Sequence, residues 1–256
     1  MKPIRREEHR LPLFSCRGLA TYRVHDLDIR LQMTPDNVFP PSETSLVLAE
    51  IVAQTPVESA LDIGTGCGVL AISLALTGCR QVTAIDCNST AIACARENAR
   101  LNGLENRIEF LAEDAYAYQP ESRFDLVVTN PPFLPIIPGR RFRSDKIMQA
   151  IDGGAVGADH IVGFARRAKD LLAPTGKFVV AVPHFVSLDL VLSKLKELYS
   201  LRLLRQEPIR FWLAEYDPDY RNHIIALVAK GVSEASESRE GLVMSKLSVF
   251  ECSPYS

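Results

Sequence analysis

The sequence lacks the patterns that metal-binding, disulfide-bonded and membrane-spanning proteins need. No two of its six cysteines form a C-x-x-C pair, and its five histidines are scattered without H-E-x-x-H spacing. We therefore expect buried thiols and no bound metal. No apolar run approaches the roughly eighteen residues that cross a bilayer, so we also expect no membrane association.

A strong excess of charge is absent as well. The formal net charge is -2, with 47% hydrophobic and 23% charged residues, a composition typical of an ordinary globular domain. The chain lacks the surplus of Lys and Arg with which proteins bind the phosphates of a long nucleic-acid duplex. This composition does not exclude a local basic patch. The first residues, M-K-P-I-R-R, lead into no hydrophobic segment, so we expect no secretory signal and a cytoplasmic location.

Short β-rich runs alternate with helical patterns from about residue 57 onward. The patterns predict strands at 60–63, 81–85, 108–111, 124–129 and 177–182, and helices at 69–76, 89–102, 158–172 and 188–199. Such alternation is typical of parallel strands joined by helical crossovers. The sequence therefore predicts a doubly wound, Rossmann-like α/β sheet.

The two flanks differ from this body. Residues 18–33 place apolar side chains at every second position and predict a β-hairpin that turns near His25 and Asp26. Residues 232–245 are polar without a sustained apolar period, which indicates a loose tail. We expect an extension at 1–45, one α/β domain at 46–231 and a polar tail at 232–256.

A glycine loop, L-D-I-G-T-G-C-G-V-L-A, joins the first predicted strand to a helix. Gly64, Gly66 and Gly68 let the backbone approach a ligand at a helix N-terminus. Asp86 ends the second strand, about 20 residues later, where a carboxylate commonly accepts hydrogen bonds from a ribose, and Asp114 follows the third strand. Together they predict a nucleoside site, unless the glycines only turn the chain and the aspartates only cap helices.

The spacing of this loop separates the candidate ligands. No Lys follows Gly68, as a P-loop requires, and the pattern is G-x-G-x-G and not G-x-G-x-x-G. Over about residues 38–182 the chain resembles the class I S-adenosylmethionine-dependent methyltransferases, whose first motif is D-I-G-T-G-x-G. The resemblance implies a seven-stranded, mostly parallel sheet. It also implies S-adenosyl-L-methionine as cofactor, with the loop beside its methionine part, Asp86 on the ribose and Asp114 on the adenine amino group.

The full set of cofactor-binding residues that this resemblance implies is Asp62, Gly64, Thr65, Gly66, Gly68, Asp86, Cys87, Asp114, Ala115 and Asn130.

The fourth strand ends in N-P-P-F, residues 130–133. The side-chain oxygen of Asn130 and the carbonyl of Pro131 offer two acceptors for one planar NH₂ group. Pro131 and Pro132 fix φ, and Phe133 can stack on a flat substrate. A plainer alternative is a strand end broken by prolines, with Asn130 capping a turn. The tetrapeptide resembles the catalytic N-P-P-Y/F motif of methyltransferases that modify nucleobase amino groups or glutamine amides.

Two subfamilies are similar to different stretches. Release-factor glutamine methyltransferases carry a D-G-G-x-x-G segment like residues 152–157 and a segment like V-F-P-P-S-E-T-S, in which Pro41, Ser42 and Glu43 would close over the cofactor. Bacterial members have a longer helical N-terminal domain, whereas only a predicted hairpin precedes residue 38 here. That difference places the chain closer to the short eukaryotic and archaeal type.

RNA methyltransferases of the small-domain type also begin with a β-hairpin and a V-F segment. The stretch G-R-R-F-R-S-D-K follows N-P-P-F closely, and basic residues interleaved with an aromatic suit phosphate contact and base stacking. A solvated loop is the plainer explanation, and for a run of charges alone it is the favoured one. The candidate substrate residues are Phe39, Pro41, Arg140, Arg141 and Arg143.

We therefore expect an enzyme that transfers a methyl group to a planar nitrogen of a protein, RNA or small-molecule acceptor. A protein glutamine is the first interpretation; a nucleobase amino group, of RNA or DNA, and a small amine or amide are the alternatives. A scaffold subunit that only binds cofactor has no need of Asn130 and Pro131. The sequence does not indicate an oligomeric state.

Overall fold

Four parallel strands, with helices in the connections between them, form the central part of the main sheet, as the alternating pattern predicts. The computed structural model describes residues 4–5, 18–33, 38–137, 139, 145–211, 218–237 and 243–255. Contacts divide the chain into two units, Met1–Asn130 with Asp170–Phe178, and Pro131–Lys169 with Val179–Ser256. The predicted domain limits at residues 45/46 and 231/232 stay predictions.

The first unit contains the glycine loop and the strands on either side of it. Its strands are β1 (Ile4–Arg5), β2 (Gly18–Val24), β3 (Leu27–Met33), β4 (Ser59–Ile63), β5 (Gln81–Ile85), β6 (Ile108–Leu111) and β7 (Phe124–Thr129). Its helices are α1 (Glu43–Val52), α2 (Val69–Leu76) and α3 (Ser89–Leu101). The strands β6, β5, β4 and β7 follow one another in this order, and each pairs in parallel with the next.

The parallel strands end at one level. Ile63, the last residue of β4, pairs with Ile85 at the end of β5 and with Thr129 at the end of β7. The end of β5 pairs in turn with Leu111 at the end of β6. The segments that leave these four strands therefore start side by side.

The helices of this unit pack as their sequences predict. Every residue of α2 from Val69 to Ala75 is buried, since this helix is apolar all round. In α3, Ile92, Ala95 and Ala99 share the buried face, and Asn98 is buried beside them. Gly103 adopts a φ of 70°, as expected for a glycine just beyond a helix C-terminus.

The N-terminal hairpin is confirmed. β2 and β3 pair antiparallel around a turn at His25 and Asp26, where His25 has a φ of 49°. Helix α3 holds the outer strand through two asparagines: the Gln32 N–H donates to Asn98 Oδ1 at 2.7 Å, and the Arg30 N–H donates to Asn102 Oδ1 at 2.9 Å. The hairpin is thereby hydrogen-bonded to the helix that follows β5.

The second unit contains helices and mainly antiparallel strands. Its elements are α4 (Asp145–Ile151), α5 (Asp159–Leu171), α6 (Leu188–Leu198), β9 (Tyr199–Phe211), α7 (Pro218–Ala229), β10 (Ala235–Glu237) and β11 (Val243–Pro254), and β8 (Leu172–Pro183) contributes residues to both units. β11 pairs antiparallel with β9 and with β10. The predicted α/β fold with a mostly parallel sheet is confirmed; in the described ranges the sheet has eight strands, one of them the three-residue β10.

The expectation of a loose polar tail is wrong for the last strand. β11 spans residues of the predicted tail and buries Leu247, Val249 and Cys252, while Lys246 is exposed. The register of β11 against β9 shifts between Val249 and Phe250. Because such a bulge reverses the phase of the inward-facing side chains, the alternating pattern is too short on either side to stand out.

A buried histidine connects three parts of the second unit. His184, which directly follows β8, places Nδ1 3.0 Å from Glu234 Oε2 and Nε2 2.9 Å from Ser248 Oγ on β11. The Gln206 amide on β9 also donates to Ser248 Oγ. Since Ser248 is buried and carries these hydrogen bonds, the network joins β9 and β11 to the residue that follows β8.

No helix in the described part of the chain is long and apolar enough to cross a membrane.

The structural role of β11 predicts unequal effects of two neighbouring substitutions. Leu247→Ala removes a fully buried side chain and should lower the free energy of unfolding by about 2–5 kcal/mol. Lys246→Ala, on the exposed side, should change it by no more than about 0.5 kcal/mol. Urea unfolding of both variants measures the difference, and equal effects would restore the loose-tail interpretation.

Candidate functional site

The glycine loop leaves β4 through backbone conformations that favour glycine. Gly64, Gly66 and Gly68 have φ values of 71°, 56° and 89°. A Cβ on Gly64 or Gly66 would meet no atom within 4 Å, so the backbone there faces open space. A Cβ on Gly68 would lie 3.0 Å from the Cβ of Ala95 in α3. The loop therefore exposes its backbone on one side and lets α3 approach closely on the other.

A buried carboxyl group lies directly before this loop. Asp62 is fully buried, and its Oδ2 accepts a hydrogen bond of 2.7 Å from Thr65 Oγ1. Its Oδ1 has no hydrogen-bond partner among the described residues. Burial, with a smaller contribution from the charge of Asp86, raises the pKa of Asp62 to about 7, against the lowering effect of the Thr65 hydrogen bond and of the backbone N–H of Ala71. Such a group favours a cationic neighbour.

Asp86 follows β5 and is bonded to the glycine loop. Its Oδ2 accepts from the Gly66 N–H at 3.0 Å and its Oδ1 accepts from the Asn88 N–H at 2.8 Å. Burial raises the pKa of Asp86, and these two hydrogen bonds oppose the increase. The N-cap of α3 is Asn88, whose Oδ1 accepts from the Thr90 N–H. Helix capping therefore does not account for Asp86.

The third acidic residue lies at the next strand end. Asp114 follows β6, is exposed, and accepts a hydrogen bond from the Tyr116 N–H at 3.0 Å, while its neighbour Ala115 is buried. Cys87, beside Asp86, is exposed as well. The carboxylate of Asp114 is therefore accessible at the edge where β4, β5 and β6 end.

Asn130 leaves β7 at the same level as Gly64 and Asp86. Its Nδ2 donates to Ser45 Oγ at 2.8 Å and approaches Ser42 Oγ at 3.4 Å. Its Oδ1 is buried and has no partner within the part of the chain that the structure describes. The NH₂ group of the amide is thus hydrogen-bonded within the protein, and its oxygen can accept a hydrogen bond from a ligand.

The remainder of N-P-P-F belongs to the second unit. Pro131 is buried, Pro132 is half-buried, and Phe133 is 8% exposed with its ring edge-on to Phe185 at 5.5 Å between centroids. The role of Phe133 in stacking on a substrate stays a prediction. Only the exposed 8% of this residue is accessible for such a contact.

The D-G-G-x-x-G segment supports that loop. The Leu134 N–H donates to the Ile151 carbonyl, and the Gly153 N–H donates to the Leu134 carbonyl, each at 2.9 Å. A Cβ on Gly153 would lie 2.6 Å from the backbone of Phe133, and one on Gly157 would clash with the Phe133 carbonyl. Glycine is required at both positions because the backbone of the N-P-P-F loop passes against them.

Asn98 and Ser45 were missed in the sequence, and the contact between Ser42 and Asn130 was not predicted. Asn98 is fully buried, and its Nδ2 donates to the Cys67 carbonyl in the glycine loop at 2.9 Å. Its position three residues after Ala95 on the buried face of α3 is a signal that could have identified it. The hydroxyls of Ser42 and Ser45 could not be assigned to Asn130 by any local pattern, because they lie 88 and 85 residues before it.

The other candidates contribute less. Arg140, Arg141 and Arg143 lie outside the described residues. Phe39 is half-buried and Pro41 is buried in the segment before α1. Burial raises the pKa of the Cys67 thiol to about 12, so it is not a thiolate nucleophile near neutral pH.

Comparison with protein families gives one match. Residues 37–142 match the family described as "Methyltransferase small domain". That range contains the glycine loop, Asp86, Asp114 and N-P-P-F.

Two relatives carry names that specify an acceptor. A release factor glutamine methyltransferase of Synechocystis sp. is 31% identical over 194 residues, which cover 70% of this chain and 63% of the relative. A putative protein N5-glutamine methyltransferase of Methanocaldococcus jannaschii is 28% identical over 170 residues, 66% of this chain and 84% of the relative. The chain thus spans less than two thirds of the length of the Synechocystis relative.

Solved structures agree in fold. A T. thermophilus 16S rRNA N2 methyltransferase, in complex with AdoMet and guanosine, has a TM-score of 0.58 at 20% identity. The match covers 96% of this chain and 52% of the rRNA methyltransferase chain. An M. jannaschii tRNA methyltransferase has a TM-score of 0.55 at 14% identity, and the match covers 93% of this chain and 56% of the tRNA methyltransferase chain. The fold is that of the class I methyltransferases.

The raised pKa of Asp62 predicts a pH-dependent stability. Because the folded chain binds a proton more tightly there than the unfolded chain, the free energy of unfolding should fall as pH rises from about 4 to about 7, and then level off. Asp62→Asn keeps an acceptor for Thr65 and should flatten this decline, leaving only the same-direction contribution of Asp86. Urea titrations between pH 4 and 9 without added ligand measure the free energy of unfolding of both proteins. If it depends on pH in the same way in the parent and in Asp62→Asn, the raised pKa does not belong to Asp62.

Proposed function

We propose that this chain, which carries the methyltransferase small domain over residues 37–142, is an S-adenosyl-L-methionine-dependent N-methyltransferase that modifies a glutamine side chain of a protein. One observation carries the proposal. At the strand end beside the glycine loop, Asn130 is held by its amide nitrogen and presents a buried oxygen that has no hydrogen-bond partner among the described residues. That oxygen can accept an N–H of a planar nitrogen.

The residues present fit the cofactor. Gly64 and Gly66 offer open backbone, and Asp62 Oδ1, which has no hydrogen-bond partner in the described ranges, suits the positive charge at the methionine end of S-adenosyl-L-methionine. Asp86 and Asp114 lie at successive strand ends, where ribose hydroxyls and an adenine amino group can donate to them. When bound, the cofactor supplies an electrophilic methyl group on a sulfonium.

The protein must activate a poor nucleophile, because the lone pair of an amide nitrogen is delocalised. Asn130 Oδ1 and the Pro131 carbonyl would each accept one N–H of the acceptor. Holding both hydrogens turns the lone pair toward the methyl group and stabilises positive charge that develops on nitrogen. The bound cofactor would supply the methyl group and leave as its thioether, and the methylated nitrogen, made acidic by its positive charge, would pass one proton to water. No strong base is needed.

A glutamine acceptor is supported by two features. The relatives described above are named as glutamine methyltransferases. The D-G-G-A-V-G segment, which is similar to theirs, packs Gly153 and Gly157 against the backbone of Phe133. The segment that distinguishes this subfamily in sequence therefore supports the N-P-P-F loop in structure.

A nucleobase amino group is the second candidate. Its support is the basic stretch G-R-R-F-R after the N-P-P-F loop, together with the N-terminal hairpin. Incubation of the protein with methyl-labelled cofactor and cell extract separates the candidates. Label that survives nuclease in protein supports glutamine; label lost with RNA or DNA supports the nucleobase; label that passes a small-pore filter indicates a metabolite. No label in any fraction would favour the scaffold alternative.

Asn130→Ala tests the catalytic assignment. Removal of the acceptor should lower turnover by roughly 100-fold, because stabilisation of the reacting nitrogen is lost, while affinity for S-adenosyl-L-homocysteine should stay nearly unchanged. Initial rates of label incorporation and calorimetry measure the two effects. Near-normal turnover in this variant would exclude the mechanism.

Asp86→Ala should instead weaken binding of the cofactor. Loss of a carboxylate that can accept from ribose hydroxyls should weaken binding of S-adenosyl-L-homocysteine by about tenfold or more in calorimetry. Because Asp86 also holds Gly66, the thermal unfolding of the variant must be followed, and Asp86→Asn serves as the isosteric control. Unchanged affinity in both variants would remove Asp86 from the cofactor site.

A further inference from the structure

The beginning of α1 contacts the amide of Asn130 through two serines. Ser42 is the N-cap of α1, and its Oγ accepts the Ser45 N–H at 3.1 Å. The two hydroxyl oxygens lie 3.0 Å apart, within hydrogen-bond distance. Asn130 Nδ2 then reaches Ser45 Oγ at 2.8 Å. All three residues belong to the first unit.

Either hydroxyl can donate to the other, and one of the two arrangements accounts for the orientation of the Asn130 amide. Ser42 Oγ already accepts from a backbone N–H, and it can also accept the Ser45 hydroxyl. With its proton directed at Ser42, Ser45 Oγ offers only lone pairs to Asn130. A lone pair repels a carbonyl oxygen and attracts an N–H. The amide of Asn130 is therefore turned with Nδ2 toward α1 and Oδ1 away from it.

We propose that Ser45, directed by Ser42, is a positioning residue that selects which end of the Asn130 amide faces the methyl acceptor. The inference rests on the proposed function, because it concerns the orientation of the same Asn130 oxygen. A flipped amide would present an NH₂ group to the NH₂ group of the acceptor, and no hydrogen bond would form between two donors. Ser45 thus acts on the reaction without touching the substrate.

Substitution of Ser45 should separate turnover from binding. In Ser45→Ala the amide loses its fixed partner and populates both orientations, so kcat should fall about tenfold, while KM for S-adenosyl-L-methionine and the thermal midpoint stay close to those of the parent. Ser45→Thr retains the hydroxyl and should recover most of kcat. Initial rates of transfer from methyl-labelled S-adenosyl-L-methionine to cell extract provide the assay.

Thr55→Ala is the matched control. It removes a hydroxyl that donates to the Ile51 carbonyl near the other end of α1, and it should leave turnover unchanged. A general weakening of the helix would instead affect this variant and Ser45→Ala alike. Combining Ser45→Ala with Asn130→Ala should add no further loss, because Ser45 acts only through Asn130.

A readout without catalysis keeps the two proposals distinguishable. In protein labelled with ¹⁵N-asparagine, the Asn130 side-chain signals are identified by their absence in Asn130→Ala, and exchange of its NH₂ protons with water should be about tenfold faster in Ser45→Ala. Unchanged exchange and full turnover in Ser45→Ala would overturn this inference alone. If Asn130→Ala itself retains turnover, the proposed function fails, whatever the exchange experiment gives.

Discussion

The in-register pairing of parallel strands is the constraint on which the site depends. Because β4 pairs with β5 and β7 so that Ile63 lies opposite both Ile85 and Thr129, the next residues of all three strands leave the sheet at one level. Thr129 strengthens this alignment through a hydrogen bond of 2.8 Å from its Oγ1 to the Ile63 carbonyl. A slip of one residue would turn every side chain to the opposite face. The glycine loop, Asp86 and Asn130 meet as a result of strand register, although they are far apart in sequence.

Buried polar groups then give this edge its chemistry. Asp62, Asn98 and Asn130 each place side-chain atoms away from water, which is unfavourable unless hydrogen bonds compensate. Asn98 is compensated within the protein by Cys67 and Gln32. Asp62 and Asn130 each keep one oxygen unpaired among the described residues. The difference separates a side chain that shapes the glycine loop from two that we propose contact a ligand.

Local motifs predicted much of this arrangement. The alternation of strands and helices, the hairpin, the glycine loop and the strand-end positions of Asp86 and Asn130 all follow from short stretches, because backbone periodicity and glycine placement are local properties. The contact of Ser45 with Asn130 spans 85 residues and is determined only by packing of α1. The strand β11 was missed because a bulge interrupts its alternation. The binding and catalytic roles of all the candidate site residues stay predictions.

The central proposal is that the amide nitrogen of a glutamine side chain receives the methyl group, and the chemical identity of the product tests it most directly. Acceptor protein labelled from methyl-labelled S-adenosyl-L-methionine can be hydrolysed in strong acid and the released label identified. Methylation of a glutamine amide predicts labelled methylamine, because acid cleaves the amide and leaves glutamate. Label recovered as methyl-lysine or methyl-arginine, or released by mild base as methanol from an ester, would contradict the account.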